Sequence, residues 1–294
     1  MKEIKKINNE VPSPCQFHND ALCEMRGMGM EMVIRQKAAF KAGYNPITAI
    51  DEQENNTMMD FGILILENGQ REIDEENKER AFLLVQGDVT FEWPGNKIRA
   101  RRASNFNEEP WCLHVPAGVK VIITGMDGTS EVCITKTTND SEFNSKLYTP
   151  EECASENRGA GTMREASTRI VRTVFDKSNS PLSNLVVGEV INFPGKWSSY
   201  PPHHHPQPEI YYYKFNPGNG YGFAQLGDDV VKVGENDTVK ILNDASHPQV
   251  TAPGYAMYYV WVIRHLDGNP YITPAFEPEH LWVTDKNSNF WPEI

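Results

Sequence analysis

The chain has 294 residues and a formal net charge of −12, with 40 acidic against 28 basic side chains. That length allows one large or two ordinary domains with a substantial core, and the acidic balance argues against a nucleic-acid partner, which needs a basic patch. No apolar run approaches the roughly 20 residues that span a bilayer, and residues 1–9 are charged without an apolar signal core, so no membrane partner is expected. Five cysteines, Cys15, Cys23, Cys112, Cys133 and Cys153, are an odd number without metal-binding spacing, which fits a reduced, cytoplasmic setting.

Residues 1–30 are polar and irregular and read as an N-terminal arm, with Met25, Met28 and Met30 as packing residues. Weak helical periodicity is confined to residues 31–42 and 149–157. From Phe61 onward strands are predicted at 61–66, 81–85, 89–93, 97–101, 111–115, 119–124 and 132–136. Short strands at this spacing, broken by Gly, Pro and Asn, predict an all-β sandwich or barrel. Gln86-Gly87-Asp88-Val89 and Val115-Pro116-Ala117-Gly118 read as tight turns, and Arg99, Arg101 and Arg102 as a solvated cluster. His114 reads as a packed or hydrogen-bonded residue; no His-x-His pair occurs here, so residues 31–140 are expected to form a scaffold domain without metal ligands. Cys112 and Cys133 sit in apolar runs and read as buried, inert thiols. Residues 141–165, rich in Asn, Ser, Thr, Glu and Gly, read as a linker. Strands resume at 168–175 and 185–192, so a second domain is expected over 166–294.

That second domain carries the chemistry. In His203-x-His205 the two imidazoles share a face of a strand while His204 turns outward, because strand side chains alternate. Glu209 opens an aromatic strand after a turn stiffened by Pro206 and Pro208, and His247 follows the turn Asn243-Asp244-Ala245-Ser246. Three imidazoles and one carboxylate suit zinc, manganese, iron or nickel, and a site left open to water or substrate points to catalysis. Strand parity puts Tyr211 and Tyr213 on the face of Glu209, with Tyr212 and Lys214 opposite. Gln225 and Tyr259 are further candidates for the cavity wall.

The segment from Trp197 through Tyr200-Pro201-Pro202 to His205, then Glu209-Ile210-Tyr211-Tyr212, Gly222-Phe223-Ala224, His247-Pro248, Ala252-Pro253-Gly254-Tyr255 and Tyr258-Tyr259, resembles the 5-deoxy-glucuronate isomerases of bacterial inositol catabolism. These are bicupins, related to the uronate ketol-isomerases of pectin breakdown. The likeness is dense from about Arg169 to Tyr259, and the first half is similar only in layout. Where the family usually carries a Pro-x-Gly-Tyr turn before the last histidine, this chain has Asn243 to Ser246.

The resemblance implies two β-sandwich or jelly-roll barrels in one chain. It makes His203, His205, Glu209 and His247 the ligands of a divalent metal, Zn2+ or Mn2+ for preference, and a deoxy-uronate the substrate. The general base is left open among Glu209, Tyr211 and Tyr213, with Gln225, Tyr259 and His280 as substrate contacts, His280 in a C-terminal cover. Lys196, Arg172 and Arg264 are the nearest cations for the substrate's carboxylate, each read chiefly as a surface residue. A homo-oligomer is expected. Two other readings remain open: a metal-dependent cupin oxygenase, and a non-catalytic uronate- or sugar-binding cupin.

Overall fold

The computed structural model describes residues 31–285 and 287–292, so the arm expected over residues 1–30 lies outside it. The first half is organised by one fifteen-residue strand, Glu79–Trp93. Its early residues pair with Trp111–Val115 and Ser130–Thr137, and its later ones with Asn96–Arg102 and Val121–Gly125. The expected turn at Gln86 to Val89 is therefore a corner within a continuous strand. The register shifts between Leu84 and Gln86, and Gly87 adopts a φ of 123° where an added Cβ would meet Ser130 Oγ at 2.4 Å. A bulge with a glycine lets one strand pass between two sheets while looking, in sequence, like a loop.

Other strands carry weaker sequence signals. Gly43–Thr48 contains Pro46 and lies at a sheet edge, where a missing N–H is tolerated. Neither weak helical stretch is helical along its length. Val33–Ile34 pairs with Thr238–Ile241, and residues 149–157 hold one 3-10 turn, Pro150–Glu152, before the short strand Glu156–Arg158. Within the segment read as a linker, Lys146–Tyr148 adds to a sheet of the first half and Glu156–Arg158 to a sheet of the second.

The second half contains a seven-stranded antiparallel sheet in the order Val33–Ile34, Thr238–Ile241, Glu209–Asn216, Ala256–Arg264, Leu185–Asn192, Arg169–Phe175, Glu156–Arg158. A four-stranded sheet of Trp197–Ser198, Gln249–Thr251, Tyr221–Leu226 and Asp229–Gly234 completes it, with a small pair, His203–His204 and Ala275–Phe276. Three apolar cores result. One fills the first half around Phe82, Phe91 and Leu113, and another fills the second around Tyr213, Val233 and Met257. The third lies between halves, where Phe61, Leu83 and Cys133 meet Val187, Ile210 and Tyr212. The central strands of the large sheet are thus buried on both faces, and all eight residues of Leu185–Asn192 are buried. Burial also pushes the Cys112 and Cys133 thiols far up and Cys153 to about 12, leaving them inert.

Polar groups stitch this seam. Arg102 and Arg172, expected at the surface, are buried and meet Glu189 at 2.5 and 2.8 Å, and Tyr258 donates to the same carboxylate. Their burial follows from parity, since Arg172 and Glu189 lie on the seam side of adjacent paired strands. Arg264 is buried as well, with Nε donating to Thr137 Oγ1. His114 donates to the buried Glu79, which also accepts from Ser183 and from the Asn184 N–H. Among the described residues no helix is long and apolar enough to cross a membrane.

Two measurements probe the seam. Glu189→Ala leaves two buried guanidinium groups without their shared carboxylate, and a loss of about 3–5 kcal/mol is expected in urea unfolding; a loss below about 1 kcal/mol would locate the seam's stability elsewhere. The second concerns His265, whose Nδ1 accepts the Tyr271 N–H, so its proton sits on the buried and unpartnered Nε2. Burial, aided by Lys177, pulls its pKa to about 4. Because the folded value lies below that of the unfolded chain, the associated stability is full above about pH 6.5 and is lost as pH falls toward 4. Stability should drop by on the order of 1 kcal/mol between pH 7 and 5, and His265→Asn should flatten that slope; an unaltered slope would reject the assignment.

Candidate metal centre

Each histidine of the cluster is oriented by a backbone carbonyl two residues away. His203 Nδ1 meets Pro201 O at 3.3 Å, His205 Nδ1 meets Gln207 O at 3.0 Å, and His247 Nδ1 meets Ala245 O at 2.8 Å. A carbonyl only accepts, so Nδ1 carries the proton in all three and each Nε2 presents a lone pair. The turn before His247, with Asn243 and Asp244 both at φ 57°, supplies the Ala245 carbonyl that holds it.

Local structure brings these rings together from separate elements. His203–His204 is anchored by pairing with Ala275–Phe276, and the His247 N–H donates to His203 O. His204 turns outward to Asp244 at 2.7 Å, as alternation requires. Pro206 to Pro208 then reverse the chain into Glu209–Asn216. Ligand atoms of His205, Glu209 and His247 lie within 4.8 Å of one another, and all three residues are buried. His205 Nε2 and His247 Nε2 stand 3.2 and 3.3 Å from Glu209 Oε2. Two donors bound to one ion at about 2.0–2.2 Å are separated by roughly 3.0–3.5 Å, so the spacing fits a shared cation. His203 lies beside this group, its ring 4.7 Å from that of His247 and nearly perpendicular to it.

The donor chemistry also fits. His247 Nε2 is buried without a hydrogen bond, an orphan lone pair that a cation satisfies. Burial, reinforced by the neighbouring imidazoles, pulls the His203 pKa to about 2; burial also lowers that of His247 despite the Glu209 carboxylate. Neutral imidazoles are the metal-binding form.

A cavity of about 190 Å³ opens onto the cluster, lined among others by Arg158, Arg169, Tyr211, Tyr259, Tyr271 and Phe276. Tyr211 and Tyr259 stack with centroids 4.5 Å apart. Tyr259 donates to Ser198 Oγ at 2.8 Å, and Ser199 Oγ lies 3.2 Å from the Tyr211 hydroxyl. Burial raises the pKa of both phenols, so at neutral pH they are donors and not bases. Tyr213 shares their face but sits deeper. Its hydroxyl donates to Gln249, whose amide donates to His247 O, so it braces the His–Glu cluster from behind.

Gln225 and His280, expected beside the substrate, instead line a separate cleft of about 830 Å³. Gln225 turns back to Gly227 O. The segment over the cluster is supplied by Tyr271, Pro274 and Phe276 in place of His280. Nor do Lys196, Arg172 or Arg264 line the cavity; Arg158 and Arg169 do. Alternation along Arg169-Ile170-Val171-Arg172 was the available signal, since it puts Arg169 with Val171 on the inner face and Arg172 in the seam.

An all-β protein carrying a buried His–Glu–His cluster at a cavity is what fold and site together define. The chain belongs to the KduI/IolB family, whose model matches residues 32–283. It is 29% identical over 247 residues to the 5-deoxy-glucuronate isomerase of Geobacillus kaustophilus (strain HTA426), covering 76% of this chain and 85% of that one. The enzyme of the same name from Bacillus subtilis (strain 168) is 26% identical, covering 78% and 89%. Among solved structures, an IolB-like protein from Salmonella typhimurium LT2 superposes with a TM-score of 0.75 at 23% identity, covering 86% of this chain and 99% of that chain. Oxalate decarboxylase from Lactobacillus farciminis reaches a TM-score of 0.60 at 12% identity over 84% and 87%.

Stripped of metal by a chelator, the protein should gain about 2.7 kcal/mol of stability when Zn2+ or Mn2+ is restored to a hundred times its dissociation constant. His247→Ala should fold yet lose that gain. A His247→Ala protein with unchanged metal content would remove the cluster as the binding site.

Proposed function

We propose that this protein is a metal-dependent aldose–ketose isomerase converting 5-deoxy-glucuronate to 2-deoxy-5-keto-gluconate in inositol catabolism. The observation that carries the reading is the His205–Glu209–His247 cluster at a cavity, within a chain of the family whose relatives bear the isomerase name. His203 is assigned as the fourth ligand on its ring contact with His247. Zn2+ or Mn2+ is the assigned ion, and the protein is assigned to the cytoplasm as a homo-oligomer. Two cupin barrels are assigned, over residues 31–140 and 166–294, because each half has its own interior core; residues 141–165 connect them.

The reaction moves a proton from the hydroxyl-bearing carbon to the aldehyde carbon through an enediolate, and a second proton from one oxygen to the other. When bound, the cation supplies Lewis-acid stabilisation of the enediolate's negative charge. Glu209 is the sole carboxylate lining the cavity among the described residues. It is therefore the assigned base, carrying the proton between carbons on the carboxylate oxygen that is not given to the cation. Tyr211 and Tyr259 hold their protons and are linked through Ser199, and Tyr259 rests donating to Ser198; both hydroxyls are assigned to turn to the sugar oxygens when substrate binds. Aromatic walls from Tyr271 and Phe276 exclude water from the intermediate.

The metal-loaded protein should convert 5-deoxy-glucuronate to the ketose without oxygen uptake, as followed by NMR. Tyr259→Phe should lower kcat about 10–100-fold with little change in KM. Absence of ketose with either ion would overturn the assignment.

A further inference from the structure

Arg158 and Arg169 stand directly opposite each other on neighbouring antiparallel strands, and both line the cavity that holds His203, His205 and Glu209. Like charges in a directly opposed cross-strand pair destabilise a sheet, so an arrangement of this kind is favoured when an anion sits between them. Arg158 is partly answered by Glu156 at 3.0 Å, but both groups are more than half exposed and such a pair contributes little. Arg169 has no such partner. Its hydrogen bonds among the described residues both leave from Nη1, to the carbonyl and hydroxyl oxygens of Ser167, and none of the ion pairs includes it.

Three buried arginines of this chain contrast with Arg169. Arg80 meets Asp74 at 2.7 Å, and Arg102 and Arg172 share Glu189. These buried guanidinium groups are neutralised by carboxylates of the protein. Arg169 is half-buried beside the two stacked tyrosines, and burial draws its pKa down. A half-buried cation without a protein anion is matched by an anion from outside, and a planar guanidinium pairs with a carboxylate through two parallel hydrogen bonds.

We propose that Arg169, assisted by Arg158, forms the subsite that seats the substrate's carboxylate, fixing which end of the sugar faces the His–Glu cluster and selecting acidic sugars over neutral ones. The proposal rests on the isomerase reading and adds to it the group that recognises the acid. Arg169 then acts on binding and orientation, and the proton transfers are left to other groups.

Kinetics of Arg169→Gln, Arg169→Lys and Arg158→Gln, each with metal content measured, test this. Arg169→Gln should raise KM for 5-deoxy-glucuronate about 10–100-fold at wild-type metal content, with Arg169→Lys intermediate and Arg158→Gln milder. For the neutral sugar bearing CH2OH in place of the carboxylate, wild type and variants should be equally poor. A KM within twofold of wild type, or an equal loss on the neutral sugar, would overturn the subsite; should Arg169→Gln not fold, Arg169→Lys and Arg158→Gln carry the same comparison.

Calorimetric titration with glucuronate and with glucose separates this proposal from the activity. If wild type isomerises no uronate but prefers glucuronate, and the variants lose that preference, the activity falls and the subsite stands. If wild type isomerises and the variants keep its KM, the subsite alone falls. Binding of neither sugar, or of both equally, also rejects it.

Discussion

The strand Glu209–Asn216 is buried on two faces that do different work, and the site depends on its register. Glu209, Tyr211 and Tyr213 face inward, to the cluster and its bracing, while Ile210 and Tyr212 pack into the seam between halves. Lys214, on the seam side, meets Glu131 of the first half at 2.9 Å, and Tyr212 donates to the same carboxylate. A slip of one residue would send the carboxylate into the seam and Ile210 into the cavity. The apolar seam therefore fixes the position of the charged group.

Alternation also explains how much of the site was legible. His203, His205 and Glu209 are close in sequence, and period two predicts both their shared direction and the outward turn of His204. His247 was legible because a turn delivers it, although its orienting carbonyl, Ala245, was not, since no side-chain type marks a backbone acceptor. Proximity to the motifs points to Gln225 and His280, but proximity along the chain does not say into which of two cavities a residue opens. Arg169 gives no signal of its own, because a charge at the start of a strand resembles a solvated flank.

The fold was legible to a similar degree. Apolar runs found the central strands, whose patterns reflect burial. They missed Gly43–Thr48, where an edge position tolerates Pro46, and Glu156–Arg158, whose three residues are all exposed. They also divided Glu79–Trp93 at Gly87, because a glycine needed for a corner between sheets and one needed for a turn look the same in sequence. Arg102 and Arg172 were assigned to the surface on residue type, and their burial follows from Glu189, 87 and 17 residues away. Long-range charge pairing of this sort leaves no local pattern.

The first half carries no histidine cluster among its described residues, yet it is more than an appendage. Its His114 is committed to Glu79, and that carboxylate reaches across to Ser183 and Asn184. Its Arg102 meets Glu189, a residue of the strand paired with Ala256–Arg264, which is in turn paired with the ligand strand. Removing the first half would expose one apolar face of the large sheet and leave Glu189 and Lys214 short of partners. Those same strands present Tyr259 and Glu209 to the cavity, so seam and site are two sides of one sheet. The first half packs against that sheet from behind, while the opposite face keeps an unpaired imidazole nitrogen and an arginine without a carboxylate partner turned to the cavity.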